Sequence, residues 1–153
     1  MSLDKLLGNK IIGKIATSPK QVEEVFRVAE RDLTAARNSL REGDFDWALA
    51  IAYNSMLQAG RALMLWRGYR PLGEFKHVAV VEFVKIEFSD ELSAKLAFAF
   101  NKIRRKRHRV VYEQAGITTE REASEVISLA EEFVERVRKL LKDGGATKIQ
   151  KKT

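Results

Sequence analysis

The sequence predicts an all-α protein, an antiparallel bundle of four or five helices joined by short loops. Only two prolines interrupt the 153 residues, so long helices are permitted. Apolar residues recur every three or four positions through most of the chain, which is the period of a helix with one buried face. Two capping-box sequences, at residues 18–21 and 119–122, mark helix starts. At this length the chain is expected to form one domain.

Start and stop signals divide this pattern into five helices. Ser18, Asp44, Ser89 and Thr119 are the predicted N-caps, because short polar side chains can accept hydrogen bonds from the free N–H groups of a first turn. Glycines such as Gly68 end the helices. The third helix is rich in β-branched residues and so also has some strand character. The predicted helices cover residues 19–41, 45–67, 74–88, 90–114 and 120–142.

The bundle is predicted to occupy residues 18–143. Residues 1–17 precede it as an N-terminal arm or short helix, and residues 144–153 follow it as a disordered basic tail. Residues 8–14 match the spacing of a phosphate-binding loop up to its lysine. Ile15 then stands where a magnesium-binding hydroxyl is needed, so we interpret the match as coincidence.

The second helix is the most apolar and supplies much of the predicted core. Its aromatic residues Trp47 and Tyr53 are expected to be buried there. His77, on the third helix, is predicted to be a surface or packing residue.

Composition argues against several classes of function. The chain has no cysteine and only two histidines, and it contains neither an HExxH sequence nor a paired-aspartate loop, so no metal centre and no cofactor are predicted. It has no run of ~18 apolar residues, so no membrane span is expected. The lack of cysteine suits a reducing compartment, and we expect a cytoplasmic protein.

The most unusual stretch is the basic run, residues 102–109, in which six of eight residues are lysine or arginine and none is acidic. Much of the net charge of +7 is therefore localised, which suggests an anionic partner such as RNA or a nucleotide. Leu96, Ile103 and Val110 recur every seven residues and place the run on a helix. The alternative is that these charges only form a solvated face of that helix.

Arg107 lies close to the apolar seam of this helix, where a cation loses hydration. It should therefore have a carboxylate partner or face a cleft that admits an anion. Glu30, Asp32 and Asp46 are the candidate partners for a purely structural ion pair.

Four segments carry a resemblance to a known family. Three lie on the second helix and in the turn after it, and the fourth begins within the basic run. They are residues 52–56, 59–63 (Ala-Gly-Arg-Ala-Leu), 68–71 (Gly-Tyr-Arg-Pro) and 107–113 (Arg-His-Arg-Val-Val-Tyr-Glu). Over residues 19–142 the chain resembles HEPN-domain proteins. It is most similar to the small prokaryotic members that are often paired with a minimal nucleotidyltransferase.

The resemblance implies a helical bundle that usually forms a homodimer, in which the signature residues of two protomers line one cleft. Active members of the family use an arginine, a polar residue and a histidine, in an R-x4-6-H arrangement, for metal-independent RNA cleavage. Arg107 matches the arginine, His108 occupies the polar position, and Tyr112 stands where the histidine belongs. These three are the candidate catalytic residues of an incomplete motif. A homodimer would also bring a second His108 near the first.

The remaining cations of the run are candidate ligands for RNA or nucleotide: Arg104, Arg105, Lys106 and Arg109. The expected function is RNA or nucleotide binding through a basic cleft. The resemblance implies a toxin–antitoxin or defence-type pair with a nucleotidyltransferase, and weak metal-independent ribonuclease potential. The alternative is a non-catalytic helical module for dimerisation or protein interaction. By family analogy, Tyr112 is also a possible acceptor of a nucleotidyl group from the partner enzyme.

Overall fold

The computed structural model describes residues 2–74, 76–113 and 115–144, which form a helical bundle with one small sheet. The predicted helical bundle is confirmed, and the observed helices begin and end within one or two residues of the predicted bounds. The sheet was not predicted. The elements are, in chain order, α1 (Leu3–Gly8), β1 (Ile12–Lys14), α2 (Pro19–Arg41), α3 (Phe45–Trp66), β2 (Tyr69–Pro71), α4 (Lys76–Glu87), α5 (Ser89–Tyr112) and α6 (Glu120–Asp143).

Both predicted capping boxes are present. At the start of α2, the Ser18 hydroxyl accepts a hydrogen bond from the Gln21 N–H at 3.2 Å, and the Gln21 side chain accepts one from the Ser18 N–H at 2.9 Å. Thr119 and Glu122 make the same reciprocal pair at the start of α6. Each box satisfies two N–H groups that have no partner within the helix.

The two other predicted caps are wrong. Asp44 occupies the N-cap position of α3 but makes no side-chain capping hydrogen bond. Its ψ of 79° departs from the extended value of 157° that lets Ser18 reach back to its helix. Ser89 is already the first residue of α5, and the N-cap is Phe88, whose side chain cannot accept a hydrogen bond.

α3 lies at the centre of the bundle and packs against α2, α4, α5 and α6. Gly60 lets α4 approach closely, because a Cβ atom at this position would lie 2.6 Å from Cγ1 of Val80. A row of aromatic rings links α3 to α5 and α6. The Phe100 ring lies 5.8 Å from that of Tyr53 and 5.2 Å from that of Phe133, measured between centroids. Phe100, which lies just before the basic run on α5, thus anchors that helix to the core.

The prediction that Trp47 belongs to the core is wrong, because 56% of the residue is exposed. It lies in the first turn of α3 and lines a shallow groove with Val111 and Ala115. Tyr53, further along the same helix, is completely buried, so its predicted place in the core is confirmed. The helical period identifies an apolar face but does not show where the end of a helix emerges from the bundle.

The N-terminal residues pack onto the bundle through Leu6 and Ile12, which are both buried. Strand β1 pairs antiparallel with β2, and Gly13 lies opposite Arg70. Residues 8–14 run from the last residue of α1 to the end of β1, so a helix comes before the strand, which is the reverse of the order in a phosphate-binding loop. The predicted basic tail, beyond Gly144, lies outside the described residues.

Within the described ranges, no helix combines the length and the hydrophobicity needed to cross a bilayer. The same residues contain no group of three or more His, Cys, Asp or Glu side chains placed to hold a metal ion.

Candidate functional site

Packing divides the basic run among different faces of α5. Arg104 and Arg107 are partly buried, and both act electrostatically on Tyr53 and His77. Lys106 faces α6 instead, where its Nζ lies 3.1 Å from a carboxylate oxygen of Glu122. The exposed members of the run are Lys102, Arg105, His108 and Arg109. The structure therefore brings the predicted ligand Arg104 together with the predicted catalytic residue Arg107 and separates both from the rest of the run.

Arg107 is the member of the run that has a buried side-chain nitrogen without a hydrogen-bond partner. Its guanidinium carbon lies 5.8 Å from the centroid of the Tyr53 ring, and its buried Nε has no hydrogen-bond partner. Among the described residues, no carboxylate forms an ion pair with it. The three carboxylates proposed as structural partners bind elsewhere. Asp32 accepts a hydrogen bond from Asn54, Asp46 accepts from Gly116 and Thr118, and Glu30 pairs with Arg138.

Tyr53 provides a buried phenol beside these arginines. The residue is completely buried, and its hydroxyl has no hydrogen-bond partner. Burial raises the pKa of Tyr53 well above its ordinary value, although the positive charges of Arg104 and Arg107 act in the opposite direction. The phenol is therefore neutral at physiological pH and is available as a hydrogen-bond donor.

His77, near the start of α4, completes the group. Its ring centroid lies 5.6 Å from that of Tyr53. Partial burial lowers the pKa of His77, and the charges of Arg107 and Arg104 lower it further. The neutral imidazole, which can accept a proton, is therefore the favoured form near pH 7. We call Tyr53, His77, Arg104 and Arg107 the inner cationic site.

Nothing in the sequence marked His77 as a member of this site. The residue lies on a helix that the chain reaches well before the basic run, and only the packing of α4 and α5 around α3 brings the two together. An isolated histidine on a helix carries no motif.

His108 and Tyr112 lie on the outer surface of α5. Their rings are in tilted contact, with 4.9 Å between centroids and 43° between planes, and His108 Nε2 lies 4.0 Å from a carboxylate oxygen of Glu113. The His108 side chain is 61% exposed and Tyr112 is 67% exposed. Of the three predicted catalytic residues, Arg107 thus points inward and the other two contact each other and solvent.

The match to known proteins agrees with this architecture. The model of the HEPN domain family matches residues 22–140, and the chain belongs to that family. A relative from Methanocaldococcus jannaschii bears the name "Putative toxin MJ0605". It is 27% identical over 127 residues, which cover 81% of this chain and 91% of the relative.

Two solved structures share the fold. The crystal structure of TT1696 from Thermus thermophilus superposes with a TM-score of 0.63 at 20% identity. The structure of ST0689, described as an archaeal HEPN homologue, gives 0.61 at 23% identity. Each alignment covers 78% of this chain and 97% of the solved chain. The bundle found here is therefore a HEPN fold.

The lowered pKa of His77 predicts how stability depends on pH. As pH falls below the ordinary value of 6.5, the unfolded chain binds a proton at this histidine before the folded chain does. The free energy of unfolding should therefore be unaffected by His77 above that pH and should decrease as pH falls toward the lower pKa of the folded state. Between neutral pH and about pH 5, the free energy of unfolding measured with urea should decrease less in His77→Gln than in the wild type.

His108→Gln is the matched control, because it removes the exposed histidine and should retain the wild-type decrease. The chain has only two histidines, so their NMR titrations can be assigned with these variants. A titration of His77 at or above 6.5 would contradict the prediction.

Proposed function

We propose that this protein is a toxin-type HEPN protein that binds RNA through the inner cationic site. The observation that carries the proposal is Arg107, a partly buried cation that lacks a carboxylate partner among the described residues and has an unsatisfied Nε. Desolvating a charge without a partner is unfavourable, so such a site is expected to bind an anion. The name of the relative from M. jannaschii supports the assignment as a toxin.

Phosphate is the anion that best suits this group of side chains. A guanidinium presents several N–H donors in a planar fork that matches two phosphate oxygens, and Arg104 adds a second positive charge. The neutral His77 beside them can accept or donate a hydrogen bond to ribose or phosphate, whereas Tyr53, whose hydroxyl is buried, supports Arg107 through its ring. Arg105 and Arg109 are exposed on a different side of the same helix, so we propose that they contact other phosphates of the RNA than the one at Arg107.

RNA binding is tested by its salt dependence in Arg104→Gln/Arg107→Gln. Each phosphate that the protein neutralises on a single strand contributes ~0.7 to the slope of log affinity against log salt, so losing the one held by Arg104 and Arg107 should reduce the slope by about 0.7. The affinity at low salt should fall at least about tenfold, because charge-assisted hydrogen bonds are removed. Fluorescence anisotropy with labelled single-stranded RNA measures both quantities.

The matched control is Arg41→Gln/Arg121→Gln, which removes the same net charge at two exposed positions. Arg41 hydrogen-bonds to Asn38, and Arg121 pairs with Glu125 on its own helix. This control should keep nearly all of the wild-type RNA affinity and nearly the wild-type salt slope. Equal losses in both double variants would show that only net charge matters and would contradict a specific site.

The position of His77 favours a second activity, metal-independent cleavage of the bound RNA. In this proposal the neutral His77 takes the proton of a ribose 2′-hydroxyl as that oxygen attacks the adjacent phosphorus. Arg107 and Arg104 stabilise the negative charge of the phosphorane, and the bond to the departing 5′-oxygen breaks. His108 lies outside the inner cationic site of its own chain, so in this proposal His108 of a second copy of the chain, with Tyr112 beside it, gives that oxygen its proton. The products are a 2′,3′-cyclic phosphate and a 5′-hydroxyl.

The exposed groove of Trp47, Val111 and Ala115 favours the alternative reading, a protein-interaction surface. Large exposed apolar side chains at one place are typical of interfaces. We propose that a second copy of the chain covers this groove in a homodimer. Val111→Asp should then shift the wild-type dimer to monomer in sedimentation velocity, whereas Lys102→Asp, exposed on the same helix, should not. A monomeric wild type would contradict the proposal.

The partner implied by the resemblance is a minimal nucleotidyltransferase that acts as antitoxin. Tyr112 is the proposed acceptor, because its exposed phenol is accessible to an enzyme. Intact-mass measurement after incubation with that enzyme and a nucleoside triphosphate tests this, since a mass increase retained in Tyr112→Phe would exclude Tyr112 as the acceptor.

A further inference from the structure

A cleft of about 440 Å³ lies between α3, β2 and the start of α4. Its lining includes Arg61, Arg70, Lys76 and His77, and none of the described residues that line it is acidic. We call it the α3–α4 cleft. It contains no residue of the basic run, and sequence analysis did not identify it.

The fold holds these cations in place by short-range packing. In β2, Tyr69 turns inward and its ring lies 5.5 Å from Phe83 of α4, so Arg70, the next residue, faces outward over the cleft. Pairing with Gly13 fixes the register of this strand. Arg61 follows Gly60, where the close approach of α4 brings the two helices together beside the cleft.

The charges of the α3–α4 cleft are not compensated. Arg61 donates a hydrogen bond to the neutral side-chain oxygen of Gln58 at 2.8 Å. Among the described residues, no carboxylate forms an ion pair with Arg61, Arg70 or Lys76. Other basic side chains on this protein do have such partners, for example Arg37 with Glu131 at 2.6 Å. Three unpaired cations in a concave site attract an anion more strongly than the same charges on a convex surface.

His77 connects the α3–α4 cleft to the inner cationic site. Its side chain lines the cleft, and its ring contacts Tyr53, which lies against Arg107. The two groups of cations therefore lie on either side of one histidine. An anion that contacts both the inner cationic site and the α3–α4 cleft therefore needs more than one negatively charged group.

We infer that the α3–α4 cleft binds a second phosphate of the same RNA strand, so that the preferred ligand is an oligonucleotide that spans both sites and not a mononucleotide. This inference rests on the proposed function, which supplies the first phosphate at Arg107. Linking two binding groups in one ligand raises the affinity above that of either group alone. His77 then lies beside the backbone between the two bound phosphates.

The test compares two probes, a labelled single-stranded RNA decanucleotide and adenosine monophosphate, on Arg61→Gln/Arg70→Gln. The decanucleotide should bind at least about tenfold more weakly than to the wild type, with a salt slope reduced by about 0.7, the contribution of one phosphate. Binding of adenosine monophosphate, which occupies only the inner cationic site, should be unchanged. Arg70→Gln/Lys76→Gln changes only exposed residues and repeats the test if replacement of the partly buried Arg61 impairs folding.

The other possible binding results distinguish failure of this inference from failure of the proposed function. If the α3–α4 cleft variants bind the decanucleotide like the wild type while Arg104→Gln/Arg107→Gln binds it weakly, the inference fails and the proposed function stands. If neither pair of substitutions changes decanucleotide binding, both fail. A loss of adenosine monophosphate binding in the α3–α4 cleft variants would show a mononucleotide site there and would also overturn the inference. The Arg41→Gln/Arg121→Gln control should bind both probes like the wild type.

Discussion

His77→Ala is expected to reduce RNA cleavage in EDTA by about 10² to 10⁴-fold, the usual contribution of a positioned general base. The physical reason is that His77 is held neutral by its partial burial and by the arginines beside it, and so can accept the 2′-hydroxyl proton. Single-turnover cleavage of a labelled RNA, with protein in excess, measures the chemical step without a contribution from product release.

A structural role for His77 predicts a different set of results. If His77 only supported packing, His77→Ala would weaken RNA binding and stability along with cleavage. A catalytic role predicts nearly unchanged RNA affinity and the loss of the acid limb of the pH–rate profile. His108→Ala should also reduce cleavage, and Arg121→Ala should not. Cleavage that survives both histidine replacements would overturn the assignment.

Phe100→Ala is expected to lower the free energy of unfolding by about 3–5 kcal/mol, the range for deleting a buried aromatic ring. Phe100 is completely buried, and its ring contacts Tyr53 of α3 and Phe133 of α6. Its loss would leave a cavity where three helices meet, immediately before the basic run. Urea unfolding followed by far-UV circular dichroism measures the change.

Lys102→Ala provides the control on the same helix. Lys102 is exposed, so its replacement should alter the free energy of unfolding by less than about 0.5 kcal/mol. A loss of under ~1 kcal/mol in Phe100→Ala would mean that the ring is not packed as the structure shows. Phe100→Leu keeps most of the apolar volume and should recover a large part of the stability.

Local sequence accounts for the helices because their signals are local. A capping box such as Ser18 with Gln21 is complete within four residues, and the period of apolar side chains is set within a few turns. The same reasoning failed for Trp47, since burial at the end of a helix depends on which other elements reach that end. It also failed for Ser89, where α5 begins one residue earlier than its polar side chain suggested.

The sequence by itself determined that this protein is a helical bundle, that its positive charge is concentrated in residues 102–109, and that Arg107 lies near the buried seam of its helix. Tertiary structure alone decided which members of the basic run share a site. It turned Arg107 toward Tyr53 and His77, directed Lys106 to Glu122, and left His108 outside. The reason is that helical periodicity fixes the direction of a side chain about its own axis, whereas the residue it meets depends on how distant helices pack.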